Sequence, residues 1–280
     1  MTTGEPASAP GASRQLVVCD LDRTLIYSAA AMGPDPPPVS CVERFQGVDA
    51  AFMTVAAVDL LRSLRQHCEF VPTTTRTREQ YARITLAGPP ARYAIVANGG
   101  HLLQHGVTDL DWHRAVRARL SECMPLAQAR DRLRSSEHAP WLRRERTAED
   151  LFCYAIVDRE LLPQDVLTGL AEWYAERGWV VSLQGRKLYC VPRPLTKSAA
   201  AAEVASRTGA DVVLAAGDSL LDTDLLEYAD VAVRPAHGEL ELIGWTRPGL
   251  LVTESSGVAG GEEVLRLLLA RTAGYLSARS

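Results

Sequence analysis

Short apolar runs alternate along the chain with stretches whose apolar residues recur every three to four positions, the pattern of a parallel sheet flanked by helices. QLVVCD (15–20), EFVPT (69–73) and YAIVA (93–97) read as the first strands. Between the first two, TVAAVDLLRSLRQH (54–67) has helical spacing, with Thr54 placed to cap it. Prolines exclude a helix before it, so the Pro-rich loop 33–39 reads as a stiff connection into a small hairpin turning near Gln46-Gly47. TREQYARITL (77–86) predicts a second helix, stopped by GPP.

From about residue 104 to 190 the pattern changes. A long helix over 112–135 precedes strands near 140–147 and 151–158, then a helix over 163–177 and a hairpin turning at Gln184-Gly185. The order αββαββ predicts an antiparallel α+β unit inserted into a parallel array. The parallel alternation resumes at LTKSAAAAEVASRTG, with strands at 211–216, 230–233 and 249–253. The expected fold is therefore α/β: a doubly wound, mainly parallel sheet built from 15–103 and 192–280, with an inserted α+β cap at 104–191. Residues 1–14 read as a disordered tail. Size and solvent exclusion suggest that the insert is a lid hinged near Gln104–Gly106 and Val191–Pro194.

Composition narrows the function more than the fold. The 280 residues are 47% hydrophobic, ample for a large core, and the net charge of -4 gives no electrostatic case for nucleic acid or a membrane surface. The six cysteines are scattered singly, which suits free thiols in a reducing compartment. Neither a leader-like start nor a run of eighteen apolar residues is evident, so a cytoplasmic protein is expected. Lys187 and Lys197 are the only lysines; every other basic residue is arginine.

The first strand poses a chemical problem. It runs into Asp20 and Asp22, two carboxylates that repel each other, with Thr24 at the same spacing. A second apolar run, DVVLAAGDSLLDTD, ends in Gly217 and Asp218, with Asp222 one helical turn on. If these strands are neighbours, Asp20, Asp22 and Asp218 converge at the topological switch point. That convergence is costly without a hard divalent cation, most naturally Mg²⁺. Thr74, at the tip of the second strand, offers a hydroxyl and a backbone N–H to a phosphate. Lys197, opening the helix that re-enters the sheet, offers a point charge.

In that order, Asp20-x-Asp22-x-Thr24, Thr74, Lys197 and Gly217-Asp218-Ser219-x-x-Asp222 resemble the four motifs of the haloacid dehalogenase (HAD) superfamily. The insert and the VANGG turn (96–100) resemble the branch containing Cof-type, sucrose-phosphate and mannosyl-phosphoglycerate phosphatases. The resemblance implies a phosphatase in which Asp20 attacks phosphorus and Asp22 moves protons. Asp20, Asp22 (through its carbonyl) and Asp218 would hold Mg²⁺. Thr74 and Lys197 would bind the phosphoryl oxygens, with Asp222 supporting them. Arg23 departs from the pattern, since many relatives carry glycine there.

The partner implied is a small phosphorylated metabolite, such as a sugar or polyol phosphate. Candidates for contacting it are Arg76 and Asn98 on core loops, Gln184, Arg186 and Lys187 at the cap hairpin, and Arg143, Arg144 and Arg146 on a cap strand. A phosphomutase using the same intermediate and a non-catalytic phosphometabolite sensor remain alternatives.

Overall fold

The computed structural model describes residues 14–135 and 139–277, so the expectation of a disordered tail at 1–14 falls almost entirely outside the described residues. The chain opens with β1 (Gln15–Asp20), buried throughout because it lies in the middle of a sheet with both faces covered. The hairpin β2 (Val39–Phe45) and β3 (Val48–Thr54) follows. It turns at Gln46 and Gly47, both at positive φ (52° and 80°), as a two-residue turn requires. Thr54 caps α1 (Val55–Leu64) by accepting from the Ala57 amide, as its sequence predicts. Then come β4 (Glu69–Thr73), α2 (Arg78–Tyr81), β5 (Tyr93–Val96), β6 (His101–Gln104) and β7 (Val107–Thr108).

The insert supplies α3 (Leu110–Leu120), α4 (Leu126–Arg134), β8 (Leu142–Ala148), β9 (Phe152–Val157), α5 (Gln164–Ala175), β10 (Trp179–Gln184) and β11 (Lys187–Pro192). The return to the large sheet is α6 (Lys197–Thr208), β12 (Val212–Ala216), α7 (Thr223–Tyr228), β13 (Val231–Arg234), α8 (Glu239–Leu242), β14 (Leu251–Val252) and α9 (Gly257–Ser277).

Eight strands form the large sheet in the order β14-β13-β12-β1-β4-β5-β6-β7, parallel from β14 to β5 and antiparallel beyond. Even-numbered residues of β1 (Leu16, Val18) face α6, while Val17 and Cys19 face α1 and α9. The insert forms a four-stranded antiparallel sheet, β10-β11-β9-β8. Among the described residues no helix is long and apolar enough to cross a membrane.

Four expectations are corrected. The helix predicted over 112–135 is two helices, broken before Pro125, which lacks an amide hydrogen and forces its predecessor out of helical geometry. The helix predicted over 77–86 is a single turn. Thr85 donates instead to the Val42 carbonyl, so the chain is drawn to the hairpin. The cap hairpin turns at Gly185-Arg186, one residue later than expected. Finally, Gln104–Gly106 is no loose hinge: it turns β6 into β7 within the large sheet. The apolar cluster under the insert also runs unbroken into that of the large sheet, so moving the insert as a rigid lid would open that cluster.

Candidate active site

Parallel register sets the centre of the site. Cys19 lies beside Ala216 and Asp20 beside Thr73, so the ends of β1, β4 and β12 stand together. Lys197, the first residue of α6, is fully buried, and its Nζ lies 2.6 Å from Asp20 Oδ1 and 2.6 Å from Asp222 Oδ1. Thr24 Oγ1 donates to Asp20 Oδ2 at 3.0 Å. Asp222 Oδ2 accepts from the amides of Asp218 (3.2 Å) and Ser219 (3.0 Å) and from the Ser219 hydroxyl (2.7 Å). A Cβ on Gly217 would fall 2.4 Å from the Asp222 side chain, which explains the glycine at that step.

Lys197 is delivered by the turn after β5. Asn98 Nδ2 donates to the Leu195 carbonyl at 2.8 Å, and Gly99 (φ 92°) passes so close to Thr196 that a Cβ would lie 2.2 Å from its carbonyl oxygen. Asn98 was a candidate for contacting substrate; its observed occupation is holding the approach to α6.

Charge is unbalanced here. Asp20, Asp218 and Asp222 each bring an oxygen within 4.8 Å of the others, and all three are buried with one lysine among them. Burial, and then the charges of Asp222 and Asp22, push the Asp20 carboxyl up to about 7 against the pull of Lys197. Burial and the neighbouring carboxylates also raise Asp218 well above its ordinary value. Lys197 is held firmly protonated, because Asp20 and Asp222 outweigh the penalty of burial. An all-oxygen donor set with surplus negative charge suits a hard divalent cation. Asp222 is the most heavily committed of the three, with Lys197 on Oδ1 and three donors on Oδ2. Each Asp20 oxygen has a single donor, so Asp20 and Asp218 are the freer carboxylate donors. The Asp22 carbonyl accepts no hydrogen bond among the described residues and could join them.

Asp22 itself is gripped from the side. Arg76 Nε and Nη2 meet its two oxygens at 2.7 and 2.8 Å, and Arg76 Nη1 meets Glu43 Oε2 at 2.7 Å. Burial works against a charge on Asp22, but the Arg76 hydrogen bonds and charge outweigh it and hold the carboxyl below its ordinary range. Arg76, expected to contact substrate, is thus committed to two carboxylates.

Thr74 is buried, and its hydroxyl accepts from the Arg76 amide at 3.1 Å. Its own N–H is taken by the Ile95 carbonyl at 2.9 Å, so only the hydroxyl remains of the two groups expected to meet phosphate. Thr73, beside Asp20 in register, has a buried hydroxyl with no partner. The threonine run 73–75 gave no means of choosing between them.

Arg23 stands at φ 67°, in the left-handed region that favours glycine, which accounts for the residue seen in relatives. Its Nε lies 3.4 Å from Asp218 Oδ2. Its carbonyl accepts from Tyr27 Oη (2.8 Å) and His237 Nε2 (2.7 Å). His237 Nδ1 accepts from the Gly257 amide, so the ring proton is on Nε2. Burial, above the other influences, holds this ring below its ordinary pKa. Nothing in the sequence singled out His237.

A cleft of about 300 Å³ lies between Asp22, Arg23 and Arg76 on one side and Gln184, Arg186, Lys187 and Tyr189 of the insert on the other. Three predicted contacts at the cap hairpin therefore face the site. Arg143 instead pairs with Asp158 at 2.6 Å, and Arg143, Arg144 and Arg146 lie on β8, at the far edge of the insert's sheet and outside the cleft lining.

Solved structures share this fold. The sucrose-phosphatase of Synechocystis sp. PCC6803, determined with sucrose and phosphate, superposes with a TM-score of 0.58 at 17% identity, covering 91% of this chain and 98% of that one. A phosphatase of the HAD superfamily from Bacteroides thetaiotaomicron gives a TM-score of 0.51 at 14% identity, over 95% and 99% of the two chains. Its fold is that of the HAD phosphatases. The C-terminal domain of C. albicans trehalose-6-phosphate phosphatase is similar too, with a TM-score of 0.53, 13% identity and coverage of 92% and 93%. No family model matches the chain, and no curated protein sequence is significantly similar to it. Within this HAD fold the long segment between β1 and α1 has a clear place: Ser28, Ala31, Ala50 and Ala51 form another part of the cleft wall.

Proposed function

We propose that the chain is a Mg²⁺-dependent phosphohydrolase that removes phosphate from a small phosphorylated metabolite through an aspartyl-phosphate on Asp20. The observation that carries this reading is the buried Lys197 bridging Asp20 and Asp222 beside Asp218, at the strand ends of an HAD fold. The sucrose-phosphatase solved with sucrose and phosphate supports sugar or polyol phosphates as substrates.

In this mechanism an Asp20 oxygen attacks phosphorus in line, the P–O ester bond breaks, and the alcohol leaves. Asp22 rests ionised. To protonate the leaving oxygen it must first take up a proton, which requires that Arg76 loosen its grip. In the second half-reaction its carboxylate accepts a proton from the attacking water, whose oxygen bonds to phosphorus as the bond between phosphorus and Asp20 breaks, releasing phosphate and the free Asp20 carboxylate. Lys197 and the Thr74 hydroxyl stabilise the phosphoryl oxygens, and Asp222 keeps Lys197 aimed. Mg²⁺, held by Asp20, Asp218 and the Asp22 carbonyl, would neutralise charge on the phosphoryl group.

The test is phosphate release from a panel of metabolite monoesters with Mg²⁺, with and without EDTA, alongside the Asp20→Asn variant. Loss of the nucleophile should cost several powers of ten in turnover. A variant retaining more than about a tenth of wild-type turnover would falsify the mechanism.

A further inference from the structure

The charges lining the cleft do not match one another. Arg76 is neutralised by Asp22 and Glu43. Arg23 has Asp218 alone, at a long 3.4 Å, and its side chain is 35% exposed. Across the cleft, neither Arg186 nor Lys187 forms an ion pair among the described residues. Lys187 is half-buried, with its Nζ 6.0 Å from the Tyr189 ring centroid, and the Tyr189 hydroxyl is tied to the core by Thr75 Oγ1 at 3.3 Å. Tyr189 first, and then Asp22, favour its charged form.

Three cations thus converge on a space of about 300 Å³ beyond the phosphate-binding groups, two of them on the insert and without a carboxylate partner. A half-buried ammonium with no carboxylate at ion-pair distance is an arrangement that a ligand anion would improve. Lysine is otherwise used in this chain only at position 197, inside the phosphate site itself. The size suits a compact metabolite, at the lower end of ligand pockets.

Resting on the phosphohydrolase reading, we infer that the site selects phosphate esters whose leaving group carries a second anionic group, a carboxylate or another phosphate. Lys187 and Arg186 bind that group from the insert, and Arg23 faces it from the large-sheet side. The phosphoryl group being removed remains with Lys197 and Thr74.

Matched pairs isolate the second charge. Calorimetric titration of the Asp20→Asn protein would compare 3-phosphoglycerate with glycerol 3-phosphate, and fructose 1,6-bisphosphate with fructose 6-phosphate. The first pair reads a carboxylate, the second a phosphate. At least tenfold tighter binding of the more anionic member is expected in one pair, and Lys187→Met should erase most of that preference while sparing the less anionic ligand. Arg186→Gln, at an exposed turn where folding is not at stake, should reduce it as well. Equal affinity within both pairs, or a preference that survives both substitutions, overturns the inference. Hydrolysis of p-nitrophenyl phosphate by the unaltered protein is a separate reading. Its absence would remove the phosphohydrolase assignment itself, whatever the titrations show.

Discussion

Arg23 shows how one residue can carry opposing demands. A side chain at φ 67° costs about 1 kcal/mol relative to glycine, yet only a side chain can place a cation beside Asp218. Arg23→Gly should therefore raise the urea midpoint, by about 1 kcal/mol in stability, while removing one positive charge from the cleft. Arg76 sets the opposite case, where the charge pair keeps a neighbouring carboxyl ionised. Replacing it with methionine leaves burial of Asp22 opposed only by the charges of Lys187 and Lys197, so the Asp22 carboxyl must rise. Because the base role of Asp22 in the hydrolysis half-reaction needs its carboxylate, losing the depression moves the acid limb of the kcat profile upward. An unshifted limb would show that Asp22 does not govern it. The sequence placed Arg76 near the phosphate loop but could not name its partners. Asp22 and Glu43 lie 54 and 33 positions away, and only the fold brings them together.

At the scale of elements, what the sequence could show depended on whether the signal was local. The strand ends carrying Asp20 and Asp218 were legible because an apolar run stopping at a carboxylate is a local event. The break before Pro125 was missed because helical periodicity continues across it, and the shortness of α2 because tertiary contact with the β2–β3 hairpin ends it. The role of the turn after β5 was hidden for the same reason: its target, the approach to α6, is a hundred residues away. That role makes Gly99 a sensitive position. Gly99→Ala would place a methyl group 2.2 Å from the Thr196 oxygen and add strain at φ 92°. The start of α6, and with it Lys197, must shift. Turnover should fall at least tenfold, with about 2–3 kcal/mol lost in a denaturant titration. A variant as active and stable as the parent would show that the turn does not position Lys197. Glu239, on α8, ties another pair of elements. Its carboxylate accepts from Ser182 Oγ at 2.5 Å and the Leu183 amide at 2.9 Å on β10, and from the Leu220 amide at 3.0 Å.

For the molecule as a whole, acid should weaken the fold through a histidine the sequence left without a role. His101, on β6, is 2% exposed and stacks on His113 of α3 at 4.1 Å, with planes 10° apart. Burial above all, helped by the charges of His113 and Arg78, lowers its pKa to about 4. As pH falls below the ordinary value of 6.5, the unfolded chain binds a proton that the native ring refuses. Stability should thus decline from pH 6.5 down to about pH 4, by at most about 3 kcal/mol from this group. His101→Phe should flatten that slope in urea titrations, and an unchanged slope would assign it to other groups. The sheet order carries a different kind of consequence, one of timing. β1 is made first but lies between β4 and β12, and β12 begins at Val212. On the ribosome, the strand bearing Asp20 must wait unpaired on one edge while nearly two hundred further residues emerge. The insert can fold its own short-range antiparallel sheet during that interval. The cluster of Asp20, Lys197, Asp218 and Asp222 is therefore among the last things the nascent chain completes, and a truncated product that folds its cap would still lack it.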